Sequence, residues 1–405
     1  MSPPDTDLIL AMLFAQDGQK LAAPLAELTP QRWQALLARG REHRFLPLLA
    51  HALRECGLWA ALPPDVAQQL KTAGQHHTRR ALLAQRAMVQ LHDILHENGI
   101  DHVFLKGAYL AQFAYPQPGL RPMRDIDVVI KPNDLPAAHD LLITLGYTSP
   151  ADVDGMVAAF IAQAKHLPGL RTPDGTVSVE LHAHVDAPGG PLAGLDAFAS
   201  PIHRPLAGRM LPFMGLQDML VHLCVHAASF HSFNNGPLVV SDIGYLLRQP
   251  GLDLQAVAAR AAELGVARPV ALTLALSENC WPSRRNDLPT GEVAVPDTLV
   301  ANARTMCMDP IEQSKNMAFL ADLAGQNSAS SRLGAVFHKL LPPRQKLALE
   351  FGQARTPLQL MQFHLKRWGR ILQHRVPTLA RSRKSRDFAQ ALQRNIALQN
   401  WLEGR

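Results

Sequence analysis

The chain has 405 residues, of which 47% are hydrophobic and 18% are charged. This composition is typical of a globular protein and excludes a largely disordered or fibrous one, and the length favours two or three packed units. The first apolar run is too short to span a bilayer and lacks the basic residues of a secretion signal. We therefore expect a cytoplasmic protein that does not bind membranes.

The formal net charge of +6 is concentrated near the carboxyl end. Residues 364–386 contain eight basic side chains and no acidic one; removing those eight from the 40 basic residues leaves 32, against 34 acidic ones. The rest of the chain is therefore slightly acidic. We interpret this basic stretch as the solvent-exposed face of a helical region, and binding of RNA or of an acidic partner is the alternative. The eight residues are Lys366, Arg367, Arg370, Arg375, Arg381, Arg383, Lys384 and Arg386.

The four cysteines are widely separated and show no CxxC spacing. Neither a disulfide framework nor a zinc ribbon is indicated.

The first 98 residues have a helical pattern, with apolar residues recurring at intervals of three and four. The segment 80–97 is an amphipathic helix that ends at Asn98 and Gly99, a usual carboxyl-terminal stop. We interpret residues 1–98 as an N-terminal helical segment.

From Gly99 onward strands and helices alternate. The pattern predicts strands at 100–105, 125–130 and 177–182, helices at 108–114 and 135–145, and a loop at 115–123. Beyond residue 215 the pattern is helical again. We expect an α/β (α+β) core with a small mixed sheet at 99–190, followed by a C-terminal helical domain with a basic tail at 191–405.

The second predicted strand, DIDVVI, carries Asp125 and Asp127, and the third, VSVELH, carries Glu180. Residues two apart project from the same side of a strand, so both aspartates can reach one point. Paired carboxylates suit a divalent cation such as Mg²⁺ or Mn²⁺, and Glu180 completes the group if the two strands are neighbours. Solvated acids on a surface strand are the alternative.

Cations lie next to these acids in the sequence. Lys106 and Gly107 follow the first strand, where a lysine and the start of a helix can hold phosphate, and Arg121 and Arg124 precede the acids. His182 shares the strand face of Glu180 and is a candidate for contact with metal, phosphate or acceptor. The combination favours a phosphorylated ligand.

These motifs resemble the uncharacterised bacterial nucleotidyltransferase family of the DNA polymerase beta-like superfamily. The resemblance covers about residues 25–250 and rests on Trp33, REHRFLPLL (41–49), FLKG (104–107), YPQPGLRPMRDIDVVI (115–130), LLITLGY (141–147), HLPGL (166–170), VELH (179–182), LVHLCVHAA (220–228) and SDIGYLL (241–247).

The resemblance implies a nucleotidyltransferase core in which Asp125 and Asp127 bind metal and Glu180 is the third carboxylate. It implies a nucleoside triphosphate as donor, whose nucleoside monophosphate moves to the hydroxyl of a small molecule, peptide or protein. One departure is the turn after the first strand, which is Gly-Ser in the superfamily and Lys106-Gly107 here. Two rivals remain: a noncatalytic binding module of the same fold, and an RNA-binding protein that acts through its basic tail.

Other polar residues have a structural and a functional interpretation. His222 and His226 stand four apart on a helix near His231, which favours helix packing or substrate contact over a zinc-dependent hydrolase. Lys165 and His166 are loop residues that can contact phosphate. His184 shares the strand face of Glu180 and His182, so either histidine can contact metal, phosphate or acceptor, with simple hydrogen bonding as the equal alternative. Asp218 and Asp242 are expected to cap or pair within the helical domain.

Overall fold

The computed structural model describes residues 3–14, 17–149, 156–283, 287, 293–311, 341–342, 347, 351, 356–374 and 386–405. In these residues, helices surround a six-stranded mixed sheet. This confirms the predicted α/β class. Every helix in the described residues is too short or too polar to span a bilayer.

Five helices precede the sheet. The third begins at a cap that the sequence supplies, because the Thr29 hydroxyl accepts a hydrogen bond from the Arg32 backbone N–H at 3.3 Å. The fifth is followed by Gly99, whose φ of +68° suits glycine. The helices are α1 (Pro3–Phe14), α2 (Gln19–Ala26), α3 (Pro30–Glu42), α4 (Leu46–Glu55) and α5 (Pro64–Glu97).

The strands are β1 (His102–Phe104), β2 (Asp125–Ile130), β3 (Leu170–Arg171), β4 (Ser178–His182), β5 (Ile202–Leu206) and β6 (Arg209–Phe213). Their order in the sheet is β3-β4-β2-β1-β6-β5. β2 pairs antiparallel with β1 and parallel with β4, while β4 forms an antiparallel pair with β3. The strand predicted to carry Glu180 is therefore a direct neighbour of the strand that carries both aspartates.

Alternation along β2 explains where its acids point. Ile126 and Val128 are completely buried, whereas Asp125 and Asp127, which alternate with them along the strand, are partly exposed. The apolar side chains thus anchor one face of the strand and direct the carboxylates to the other.

The sheet continues past residue 190, where the sequence placed the end of the core. β5 and β6 form a hairpin whose turn residues, Ala207 and Gly208, have φ of +47° and +81°, the conformation that two-residue hairpins require. The sequence pattern instead places this segment in the helical domain. Pro205 and Pro212 argue against strands when the sequence alone is considered, because proline cannot donate a backbone hydrogen bond to a neighbouring strand. Within sheets proline is tolerated only at certain positions, such as edge strands.

The remaining helices are α6 (Gly107–Tyr109), α7 (Leu135–Thr144), α8 (Val157–Gln163), α9 (Leu216–Val225), α10 (Leu238–Leu247), α11 (Leu254–Glu263), α12 (Ala267–Cys280), α13 (Asp297–Met306), Pro357–His374 and Arg386–Glu403. A π-helical turn extends α6 at Leu110–Ala114 and another extends α9 at His226–Phe230. One continuous cluster of buried apolar side chains joins the helices before the sheet, the sheet itself and the helices after it.

Candidate active site

Three carboxylates line one cleft at the side of the sheet, although Asp125 is not in the group of potential ligand atoms that lie closest together. Asp125 and Asp127 lie on β2, and Glu180 on β4 stands directly opposite Asp127 in the parallel register. All three line a cleft of about 530 Å³. The strand pairing that the sequence left open is therefore present.

His182 joins two of these carboxylates. It is completely buried, and its Nε2 lies 3.1 Å from Oδ1 of Asp127 and 3.6 Å from Oε2 of Glu180. One ligand atom from each of Asp127, Glu180 and His182 lies within 4.8 Å of the other two, a spacing that can hold a metal ion. His184 does not join this group, because its Nε2 lies 3.2 Å from the Ile161 carbonyl oxygen, with which it forms a hydrogen bond.

The carboxylates differ in proton affinity. Burial and the neighbouring charges of Asp127 and Glu180 raise the pKa of Asp125 to about 6. Burial acts in the same direction on Asp127, but Lys106 and a hydrogen bond from His182 outweigh it and hold its pKa well below the ordinary value. His182, whose Nε2 lies 3.6 Å from Oε2 of Glu180, also lowers the pKa of that carboxyl. Asp125 is therefore repelled by the negative charges of Asp127 and Glu180, and a bound divalent cation would offset that repulsion.

The turn after β1 places a lysine against the acids. Lys106 is buried, has a φ of +36° that is uncommon outside glycine, and holds its Nζ 3.6 Å from Oδ2 of Asp127. The next residue, Gly107, has no room for a side chain, because an added Cβ would lie 2.5 Å from Nη1 of Arg121. Gly107 therefore allows the Arg121 guanidinium to approach the start of α6.

Arg121 is fixed by an ion pair with the helical region. Its Nε donates to Oδ1 of Asp242 at 2.9 Å and its Nη2 donates to Oδ2 at 3.0 Å. The Tyr115 hydroxyl donates to the same carboxylate at 2.6 Å. Asp242, expected to cap or pair within the helical domain, instead connects α10 to the loop before β2.

More cations line the cleft. Arg124 is exposed, and Arg44, at the junction of α3 and α4, lies in the same cleft. Arg44 is not among the site residues that the sequence predicts, because its only signal is its position between two helices. Lys165 and His166 also reach the cleft, with Nε2 of His166 3.7 Å from Oε2 of Glu180. Burial and the charge of Lys106 lower the pKa of Lys165.

The histidines that follow the sheet do not form a second metal group among the described residues. His222 is buried in α9, and burial holds its pKa well below the ordinary value. His226 lines the cleft, and its Nε2 lies 3.3 Å from Nε2 of His231. Within the described chain, the one group of three potential ligands is Asp127, Glu180 and His182. Asp218 pairs with Arg260 outside this cleft.

A mixed sheet that presents acidic side chains from neighbouring strands into a cleft rimmed by cations is typical of a nucleotidyltransferase. Residues 29–282 match a family model described as Uncharacterised nucleotidyltransferase. The chain belongs to that family, which confirms the resemblance found in its motifs.

A crystal structure of an antigenic nucleotidyltransferase-like protein from Paracoccidioides brasiliensis is also similar to this chain. The two are 17% identical over 49% of this chain and 92% of that one, with a TM-score of 0.32. A TM-score this low does not define a shared fold. No curated protein matches the chain.

Part of the basic stretch lies outside the described residues. Lys366, Arg367 and Arg370 lie on the helix Pro357–His374, whereas residues 375–385, which contain four of the eight basic residues, are not among those described. Binding of RNA by this tail stays a prediction.

Proposed function

We propose that this protein transfers a nucleoside monophosphate from a nucleoside triphosphate to a hydroxyl group on an acceptor, with Mg²⁺ or Mn²⁺ held by Asp125, Asp127 and Glu180. The observation that carries this proposal is the parallel register of β2 and β4, which sets Glu180 opposite Asp127 in the cleft. Membership of the nucleotidyltransferase family supports it.

The residues of the site fit a divalent cation. Carboxylate oxygens are the ligands that Mg²⁺ and Mn²⁺ prefer, and burial together with the negative charges of Asp127 and Glu180 raises the pKa of Asp125. When bound, such an ion would neutralise charge on the triphosphate and favour ionisation of the acceptor hydroxyl. The buried His182 would complete the group or hold Asp127 in place.

The chain's own residues prepare the site for this reaction. Lys106 keeps Asp127 ionised, and His182 orients the same carboxylate by donating a hydrogen bond to it. Arg124, Gly107 and Lys165 line the cleft where the triphosphate would bind. In the proposed transfer, the acceptor oxygen bonds to the α-phosphorus while the bond to pyrophosphate breaks, and the hydroxyl proton passes to solvent.

The acceptor that we propose is a hydroxyl-bearing small molecule, peptide or protein. The cleft wall contributed by the region after β6 combines apolar residues such as Leu223 and Val239 with hydrogen-bonding residues, Asn234, Asn235 and His226 among them. Such a wall suits a hydrogen-bonding acceptor.

The test measures label transfer from each of the four α-labelled ribonucleoside triphosphates, with Mg²⁺ and cell extract as the source of acceptor. Asp125→Asn, Asp127→Asn and Glu180→Gln keep side-chain shape and remove charge. The matched control is Asp140→Asn, whose side chain is 82% exposed on α7. We expect wild type and control to transfer label and the three site variants to lose about 10²–10³-fold or more.

Two results would contradict the proposal. Equal transfer by wild type and all three site variants would show that the carboxylates are not catalytic. Tight nucleotide binding by the wild type with no transfer in any extract would instead favour the noncatalytic binding module. RNA retention that is lost on deletion of residues 364–405 would support the separate role of the basic tail.

A further inference from the structure

Arg44 is held in an unusual backbone conformation at the edge of the cleft. It lies between α3 and α4 with a φ of +61°, a region that L-residues rarely occupy. Its neighbours, His43 and Phe45, are 1% and 0% exposed, and the Phe45 N–H donates to the Gly40 carbonyl oxygen at 3.0 Å. Because both neighbours are anchored in the core, the Arg44 side chain is directed into the cleft.

The Arg44 guanidinium has no partner among the described residues. Its Nε is buried without a hydrogen bond, and no carboxylate oxygen of a described residue lies within 4.0 Å of its nitrogens. Asp242 is already bonded to Arg121 and Tyr115. An unpaired, partly desolvated cation is unfavourable in a folded protein, and strained backbone often marks a functional position.

The surroundings of Arg44 add to this electrostatic cost. Burial and the positive charges of Arg124 and Arg121 lower the pKa of Arg44 to about 10. The nearby negative charges of Asp125 and Asp242 only partly offset the effect. An anionic ligand in this part of the cleft would be stabilised by several cations at once.

Arg44 differs from Arg121 in the donors that it has available. Arg121 uses Nε and Nη2 to bind Asp242, and its Nη1 packs against Gly107. The planar fork of Arg44 is uncommitted, and a guanidinium of this kind binds phosphate oxygens in a bidentate manner.

We propose that Arg44 binds the phosphate chain of the donor nucleotide, with Arg124 contributing from the same cleft. This assignment rests on the proposed function and names a residue from the N-terminal helical region as part of the nucleotide site. It gives a reason for the strained backbone, which directs an unpaired and partly buried guanidinium toward the ligand.

The test is calorimetric titration of the full-length protein with α,β-methylene nucleoside triphosphates, nucleoside monophosphates and inorganic tripolyphosphate. Arg44→Asn and Arg44→Gly remove the guanidinium, and both replacement residues accept positive φ, so the fold should be kept. Arg44→Lys keeps a charge but not the fork. The control is Arg41→Asn on α3, since Arg41 is exposed and bonded to Gln69.

We expect Arg44→Asn and Arg44→Gly to weaken binding of triphosphate and tripolyphosphate by about 10- to 100-fold, with monophosphate binding little changed. Arg44→Lys should lie between these variants and wild type, and Arg41→Asn should match wild type. Unfolding midpoints at or above the wild-type value will show that the variants are folded.

The two proposals fail in different ways. If wild type transfers nucleotide but both Arg44 variants bind triphosphate and tripolyphosphate as wild type does, the Arg44 assignment is wrong and the proposed function stands. If binding of tripolyphosphate depends on Arg44 but wild type transfers no nucleotide, the phosphate contact stands and the transfer reaction is wrong.

Discussion

His182 on β4 donates a hydrogen bond from Nε2 to Oδ1 of Asp127 on β2, at 3.1 Å. Burial alone would lower the pKa of this imidazole, but the hydrogen bond to Asp127 and the nearby carboxylate of Glu180 outweigh burial and raise it. The ring and the two carboxylates therefore form one electrostatic unit across two strands.

The first prediction concerns this unit. His182→Phe removes the donor to Asp127 and any metal contact through Nε2, so Mn²⁺ affinity should fall by about 10- to 100-fold. His182→Gln retains a donor and should recover part of that loss. Mn²⁺ binding followed by electron paramagnetic resonance makes the measurement.

The matched control is His184→Gln, because His184 bonds to the Ile161 carbonyl oxygen instead of to the acids. A purely structural role of His182 predicts a lower unfolding temperature in His182→Phe with Mn²⁺ affinity unchanged, and that result would remove His182 from the site.

The second prediction concerns Gly107. In Gly107→Ala the added Cβ would lie 2.5 Å from Nη1 of Arg121, and the ion pair with Asp242 prevents that side chain from moving freely. We expect a loss of about 1–3 kcal/mol in the free energy of unfolding, measured by urea denaturation. In an Arg121→Ala background, the same substitution should cost much less.

Gly74 provides the control for this change. It lies in α5, and an added Cβ there would contact nothing within 4 Å. Gly74→Ala should therefore stabilise the protein by up to about 1 kcal/mol through helix propensity. Equal effects of the two alanine substitutions would disprove the steric argument.

The third prediction concerns the ion pair between the loop and α10. Asp242→Asn leaves the Arg121 charge, which is 18% exposed, without its carboxylate, and should lower the free energy of unfolding by about 3–5 kcal/mol. Asp93→Asn is the comparison, since its ion pair with Arg209 is exposed (31% and 54%) and the expected loss is below about 1 kcal/mol. Similar losses in both variants would count against a special role for Asp242.

The fourth prediction concerns pH. Burial lowers the pKa of His102 from 6.5 to about 4, and its Nε2 lies 2.9 Å from Nδ1 of His92. The Nδ1–H of His102 donates to the Ile100 carbonyl oxygen, so its Nε2 accepts from His92 and protonation there would break the bond. The unfolded chain thus takes up this proton at higher pH than the folded one. The neutral His102 therefore contributes fully to the free energy of unfolding above pH 6.5, and this contribution is lost as pH falls toward 4.

His102→Gln removes that titration. Its free energy of unfolding should fall less than that of wild type between pH 6.5 and 4, by a difference on the order of 2–3 kcal/mol. Part of the pH dependence of the free energy of unfolding should remain in the variant, because burial also lowers the pKa of His43 and His77 to about 4. Parallel stability curves for variant and wild type would show that His102 does not titrate in this range.

Local periodicity was enough to predict the two aspartates of the site. The alternation of Asp125 and Asp127 with buried aliphatic residues predicts a strand with both carboxylates on one face, and β2 has this arrangement. The role of Glu180 depends on the parallel register between β2 and β4, which is set by packing between residues 53 positions apart and leaves no local pattern. The metal role of all three stays a prediction.

Long-range packing also explains what the sequence did not reveal. Arg44 reaches the cleft because the residues on either side of it are buried, and Arg121 meets Asp242 because α10 packs against the loop before β2. These relationships join residues far apart in the chain. Sequence patterns identify elements, whereas such contacts depend on how the elements are assembled.

The continuous apolar cluster, which extends from Ile9 in α1 to Leu398 in the last described helix, has a thermodynamic consequence. The helices that supply Arg44 and the strands that supply Asp125 share one interior, so separating them would open apolar surface on both pieces. A ligand that bridges Arg44 and the carboxylates would then stabilise distant parts of the chain together. Occupancy of the cleft should slow hydrogen exchange in α3 and α4 as well as in β2 and β4.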